Sequence, residues 1–198
     1  MITPETFKSG WQRVDENLIA CAREQVEGLG FREDTMHFLR VAGLPDDAAP
    51  FLSFGYLAEG RLRGVDDIFK VRESLSRYKA IGFDGNGSPI CIDVGQGDRI
   101  FCLDHDQDFE AVFVNASVHQ LAETLLAYRD FVEEVLAGNG RQAGVDETFT
   151  DAQLGRLKAQ IASIDAEAGQ PGGFWNHEMQ ILLDNRAYYQ QAKGNEDR

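Results

Sequence analysis

Between Phe83 and Asn115 the stretch FDGNGSPICIDVGQGDRIFCLDHDQDFEAVFVN places seven carboxylates, two cysteines and one histidine beside a single arginine. Three chemistries use such side chains. For calcium, Asp84, Asn86 and Ser88 fit the first, third and fifth positions of an EF-hand loop. The sixth position, where a sharp bend needs glycine, is Pro89, and the twelfth, where glutamate chelates the ion, is Gly95. That favours a hairpin turn over a calcium loop. A divalent ion could also be met by Asp104, His105, Asp106, Asp108 and Glu110. Strand alternation sends Asp104 and His105 to opposite faces and leaves the others in an exposed turn, whereas a metal needs converging ligands.

Cysteine chemistry is the third possibility. Four-residue hairpin loops place Cys91 opposite Cys102, as a pair able to oxidise or as two small apolar residues. His105 falls on the other face from both, so no cysteine–histidine nucleophile is expected. GNGRQAG follows a helix-type segment, and no Gly-Lys-Ser or Gly-Lys-Thr occurs, so a phosphate loop is not expected either. No catalytic residue, metal or cofactor is assigned.

The elements that position this stretch follow from periodicity. Thr3-Pro4-Glu5 opens a helix, and helical sequence runs on through VDENLIACAREQVEGLG to Gly28 and Gly30. Asp34 starts a short helix that Gly43 and Pro45 stop, and PFLSFGYL and RLRGVDDIFKV read as short strands or extended connections. From Tyr78, three turns about ten residues apart predict a four-stranded antiparallel meander. With loops Asp84–Gly87, Gly95–Asp98 and Asp106–Phe109, facing residues sum to 171, 193 and 215. One face then collects Ile81, Phe83, Ile90, Ile92, Val94, Phe101, Leu103, Val112 and Val114, with Lys79 at its end. The opposite face carries Tyr78, Ala80, Cys91, Asp93, Ile100, Cys102, Asp104, Ala111 and Phe113. Ser117 and Gln120 cap a long amphipathic helix closed by Gly138, with its stripe at Val118, Leu121, Leu125, Tyr128, Val132 and Val135. GNGRQAGVDETF reads as a linker, Thr150 with Gln153 caps another helix, and FWNHEMQILLDNRAYY forms a last one before a polar tail.

The chain has 198 residues, enough for one domain. Its sections are an N-terminal helical segment (1–30), a sheet core with the long helix (31–138) and a helical C-terminal extension (139–198). Nineteen basic against thirty-three acidic residues give a net charge of -14. Such a surface is a poor partner for nucleic acid and attracts basic proteins. Three cysteines do not make a disulfide framework, and no apolar run suits a signal peptide or membrane span. The expectation is a soluble, reduced, cytoplasmic protein.

Four stretches resemble the SUKH superfamily, in its fourth immunity-protein subgroup. FLRVAGLP (Phe38–Pro45) is similar to its helix-then-GLP entry to the sheet. IGFDGNGSPICID (Ile81–Asp93) resembles its glycine-aspartate hairpin. VNASVHQLAETLLAY (Val114–Tyr128) is similar to its asparagine-serine helix start, and IDAEAGQPGGFW (Ile164–Trp175) to its late aspartate-to-tryptophan segment. The resemblance implies an α+β fold with helices packed on a twisted sheet. It also implies a bacterial protein that neutralises the toxin of a polymorphic toxin system, often a nuclease, by direct binding and without catalytic residues. Expected contact residues for a basic toxin domain are Asp84, Asp93, Asp104, Asp106 and Asp108, with Tyr78 and Phe113 if their face is open. Two other readings stand beside this one: a scaffold or regulator of the same fold, and a metal-dependent enzyme using the Asp104–Glu110 cluster.

Overall fold

The computed structural model describes residues 1–11, 17–140 and 148–196, and no side chain of 139 or 193–196. A six-stranded antiparallel sheet runs in sequence order through β3 (Asp47–Ala48), β4 (Leu52–Ser53), β5 (Tyr78–Phe83), β6 (Pro89–Asp93), β7 (Arg99–Asp104) and β8 (Glu110–Asn115). The expected meander forms its last four strands, β5 to β8, and ends at the sheet edge. A separate pair joins β1 (Leu18–Ile19) to β2 (Leu44–Pro45). Gly43 lies beside this pair at φ 71°, where a Cβ would stand 2.0 Å from the Ile19 carbonyl oxygen, so only glycine fits.

The observed register corrects the expected one. Asp93 pairs with Arg99 and Asp104 with Glu110, so the second and third loops hold five residues instead of four. Both are one design. The Asp93 carboxylate accepts the Gly95 N–H at 2.9 Å, and the Asp104 carboxylate accepts the Asp106 N–H at 3.0 Å. A short 3-10 turn follows, and two left-handed residues close each loop: Gly97 and Asp98 in one, Asp108 and Phe109 in the other. A one-residue slip exchanges faces. Cys91 therefore opposes Phe101, and Cys102 opposes Ile90, which separates the cysteines predicted to face each other. In the first hairpin the expected sum of 171 holds from Tyr78 to Ala80, beyond a bulge. Ile90, Ile92, Ile100, Cys102 and Val112 share one face; Ala80, Cys91, Phe101, Leu103 and Phe113 share the other.

Around the sheet lie α1 (Pro4–Trp11), α2 (Arg23–Val26), α3 (Glu33–Val41), α4 (Val65–Phe69), α5 (Val118–Asn139), α6 (Asp151–Ile164) and α7 (Phe174–Glu196). The predicted caps form: Ser117 Oγ accepts the Gln120 N–H, and Thr150 makes a full box with Gln153. Leu18–Ile19 is a strand, not helix, because its backbone closes on β2. The segment expected as extended after Pro50 keeps only β4, then turns into a 3-10 helix (Gly55–Ala58) and α4. The last helix continues through the expected polar tail to Glu196. Most of the expected linker GNGRQAGVDETF, residues 138–149, lies outside the described residues. The N-terminal helix belongs to the core: Phe7 and Trp11 are buried, Phe7 packs on Phe38, and Arg129 of α5 donates to the Gly10 and Trp11 carbonyls.

One buried polar cluster joins sheet and helices. Asn115, fully buried at the end of β8, accepts the Trp175 indole N–H at 3.1 Å. Its amide nitrogen donates to Thr124 of α5 at 3.3 Å and to Asp165 at 3.4 Å. The same Asp165 carboxylate accepts the backbone N–H of Ala116 at 2.7 Å and of Glu167 at 3.1 Å. Removing one member strands the others without water, which is the costly way to lose a hydrogen bond. Asn115→Ala is expected to lower the unfolding free energy by about 3 kcal/mol in urea titrations. A loss below about 0.5 kcal/mol would show that the cluster contributes nothing.

Candidate functional site

Two of the three meander turns, Asp84–Ser88 and His105–Phe109, lie at the same end of the sheet. The Asp84 carboxylate accepts the N–H groups of Asn86 and Ser88 at 2.9 and 2.8 Å. Ser88 Oγ meets His105 Nδ1 at 3.0 Å and locks one turn to the other. The first half of α7 passes over this end. Between them opens a basin of about 580 Å³ whose walls include Asp84, Asp104, Asp106, His177 and Glu178.

The structure divides the expected contact residues. Asp84, Asp104 and Asp106 come together in the basin wall. Asp108 is 86% exposed but turned to Arg72, whose guanidinium is 2.7 Å away. Asp93 and Tyr78 are corrected from surface to interior. Asp93 has no exposed surface, because its carboxylate serves the turn, the Gln96 amide at 3.0 Å and Arg77 at 3.3 Å. Tyr78 is 6% exposed, in edge contact with Phe101, with Arg77 4.7 Å over its ring. Phe113 is half-buried, its ring 4.5 Å beneath Arg99. The aromatic row Tyr78–Phe101–Phe113 is thus a packed layer capped by arginines, not an open platform.

Two residues that composition did not single out border this region. Phe51, at the tip between β3 and β4, is 80% exposed. Glu178 lies one turn after the buried Phe174 on α7; a carboxylate on an apolar stripe was the signal in the sequence. Burial, with the Asp84 carboxylate second, raises the Glu178 carboxyl to about 7. Cys102 stands 3.8 Å from Asp84, and its thiol is pushed far up, chiefly by burial; Cys91 is raised the same way and Cys21 to about 11. These thiols stay protonated and are poor nucleophiles. Among the described residues, no group of three or more histidine, cysteine or carboxylate side chains is placed to hold a metal ion. Likewise, no described helix is long and apolar enough to cross a membrane.

The architecture is that of an α+β protein whose acids build turns and line a concave end of one antiparallel sheet. The family model described as SUKH-4 immunity protein matches residues 7–184, and the chain belongs to that family. The comparisons with curated proteins and with solved structures gave no match.

Glu178 supplies a pH test. Its folded pKa lies above the ordinary 4.5, so the folded protein holds this proton more tightly than the unfolded chain. The resulting stabilisation is full below about 4.5 and is lost as pH rises through about 7. Glu178→Gln keeps a neutral side chain. Its melting temperature is expected to match wild type near pH 4.5 and to exceed it increasingly toward pH 8; parallel melting profiles across that range would contradict the assignment.

Proposed function

We propose that this protein is an immunity protein that neutralises a cognate bacterial toxin domain of basic character by direct, non-catalytic binding. The family match over residues 7–184 carries the reading. Net charge supports the basic character of the partner, since a surface at -14 accelerates encounter with a cation-rich domain and disfavours nucleic acid. The partner is a toxin of a polymorphic toxin system, a nuclease or similar enzyme whose cleft is cationic, met in the cytoplasm. Asp84, Asp104 and Asp106 face it from the basin, and Asp108 extends the acidic rim on the outer side of the turn.

The acids act on approach more than on hold. Exposed charges change the association rate, whereas buried apolar contacts set the lifetime of a complex. Co-expression with the toxin domain encoded beside this gene is expected to preserve growth and yield a co-purifying complex. Asp106→Asn with Asp108→Asn should then slow association several-fold at low salt and flatten its dependence on ionic strength. Death of the host with no complex recovered would refute the proposal; unchanged association kinetics would remove this rim from it.

A further inference from the structure

Phe51 occupies a conformation that its side chain does not favour. Its φ is 107°, a region of backbone space that glycine fills readily and a bulky residue rarely enters. The Phe51 N–H donates to the Ala48 carbonyl at 3.1 Å and holds the tight turn. A glycine here would cost less, yet the chain presents an aromatic ring to solvent. This ring borders two concavities. One is an apolar slot of about 630 Å³ walled by Leu52, Phe131, Val132, Val135, Phe149 and Leu182. The other is a cleft of about 270 Å³ running past Gly85 and Phe174 to Glu178. Asp84 lines both of these and the acidic basin, so the three form one continuous surface.

Charge along that surface has one sign. Asp47, Asp84, Asp104, Asp106 and Glu178 line it, and no lysine or arginine is among its described lining residues. Several acids elsewhere have a guanidinium partner: Asp108 pairs with Arg72, Asp93 with Arg77, Glu167 with Arg99 and Glu134 with Arg156. His105 Nε2 stands 3.5 Å from the Asp106 carboxylate. An apolar slot that ends in carboxylates, with no described lysine or arginine lining it, is still complementary to an apolar side chain followed by a cation. We infer that this surface is the docking site for a segment of a basic protein, with a leucine, isoleucine or aromatic side chain packed against Phe51 in the slot. A lysine or arginine of the same segment reaches into the cleft toward Glu178 and the basin. The inference rests on the immunity reading for the partner's identity and adds to it the surface and the sequence character of what binds. The Phe51 ring is the anchor, because exposed aromatics beside a pocket carry a large share of interface energy. An arriving cation favours the ionised form of Glu178, since an opposite charge nearby offsets the desolvation that raises its pKa.

The test uses the full chain and the toxin domain encoded beside its gene. Phe51→Gly suits the left-handed backbone and is expected to fold as wild type. It should weaken binding about 30-fold or more, mainly through faster dissociation. Glu178→Gln should weaken it about tenfold, while Glu24→Gln, a charge change on remote α2, should leave it within twofold. Hydrogen exchange on the wild-type complex gives a reading free of any variant: amides of 48–54 and 174–182 should slow on binding. Wild-type binding that Phe51→Gly leaves within twofold, or slowed exchange confined to other segments, overturns the inference and leaves the immunity reading standing. A dimer of the protein alone that Phe51→Gly dissolves assigns the slot to a second copy and also overturns it. Absence of wild-type binding overturns the immunity reading and this inference together.

Discussion

The side-chain amide of Asn115 is the point from which the helical layer is hung. It sits where β8 ends and spends donor and acceptor on three different parts of the chain: Thr124 in α5, Asp165 after α6 and Trp175 in α7. Each partner is buried, so no solvent can replace a lost contact. Hydrophobic burial would hold helices against a sheet in many sliding arrangements. This cluster selects one of them, and with it fixes where α7 passes over the turns. The basin exists because α7 starts at that place.

Two of the family-like stretches, VNASVHQL and IDAEAGQPGGFW, meet in this cluster. Their order was readable along the chain, but their contact was not, since nothing local in a sequence says which asparagine will face which indole. The meander, the Ser117 and Thr150 caps and the α5 stripe were legible for the opposite reason: period and capping are local. The strand register was missed by one residue because Asp93 and Asp104 open their turns with a side-chain hydrogen bond, adding a residue to each loop. That one residue moved Phe101 from the expected core face to the face of Phe113, where it packs between Tyr78 and Phe113. Leu18–Ile19 was lost to helical periodicity because its partner, β2, lies far along the chain.

The carboxylates divide by job. Asp93, Asp165 and one oxygen of Asp104 are spent on backbone N–H groups, where a negative charge is hydrogen-bonded and shapes the chain. Asp106 and Glu178 make no comparable turn and stand where α7 meets the sheet end. Composition alone gave the sign of the surface; it could not separate acids that fold the protein from acids free to meet a partner. The thiols of Cys91 and Cys102, raised by burial, are poor nucleophiles.

Recognition by occupancy has a stoichiometric signature that catalysis lacks. The decisive measurement is a titration of the proposed cognate toxin domain's activity with the purified protein, at concentrations well above their dissociation constant. Activity should fall linearly and reach its floor at one equivalent, then return when the complex is dissociated by salt. Complete loss at a small fraction of an equivalent, or activity untouched by excess protein, would contradict the account.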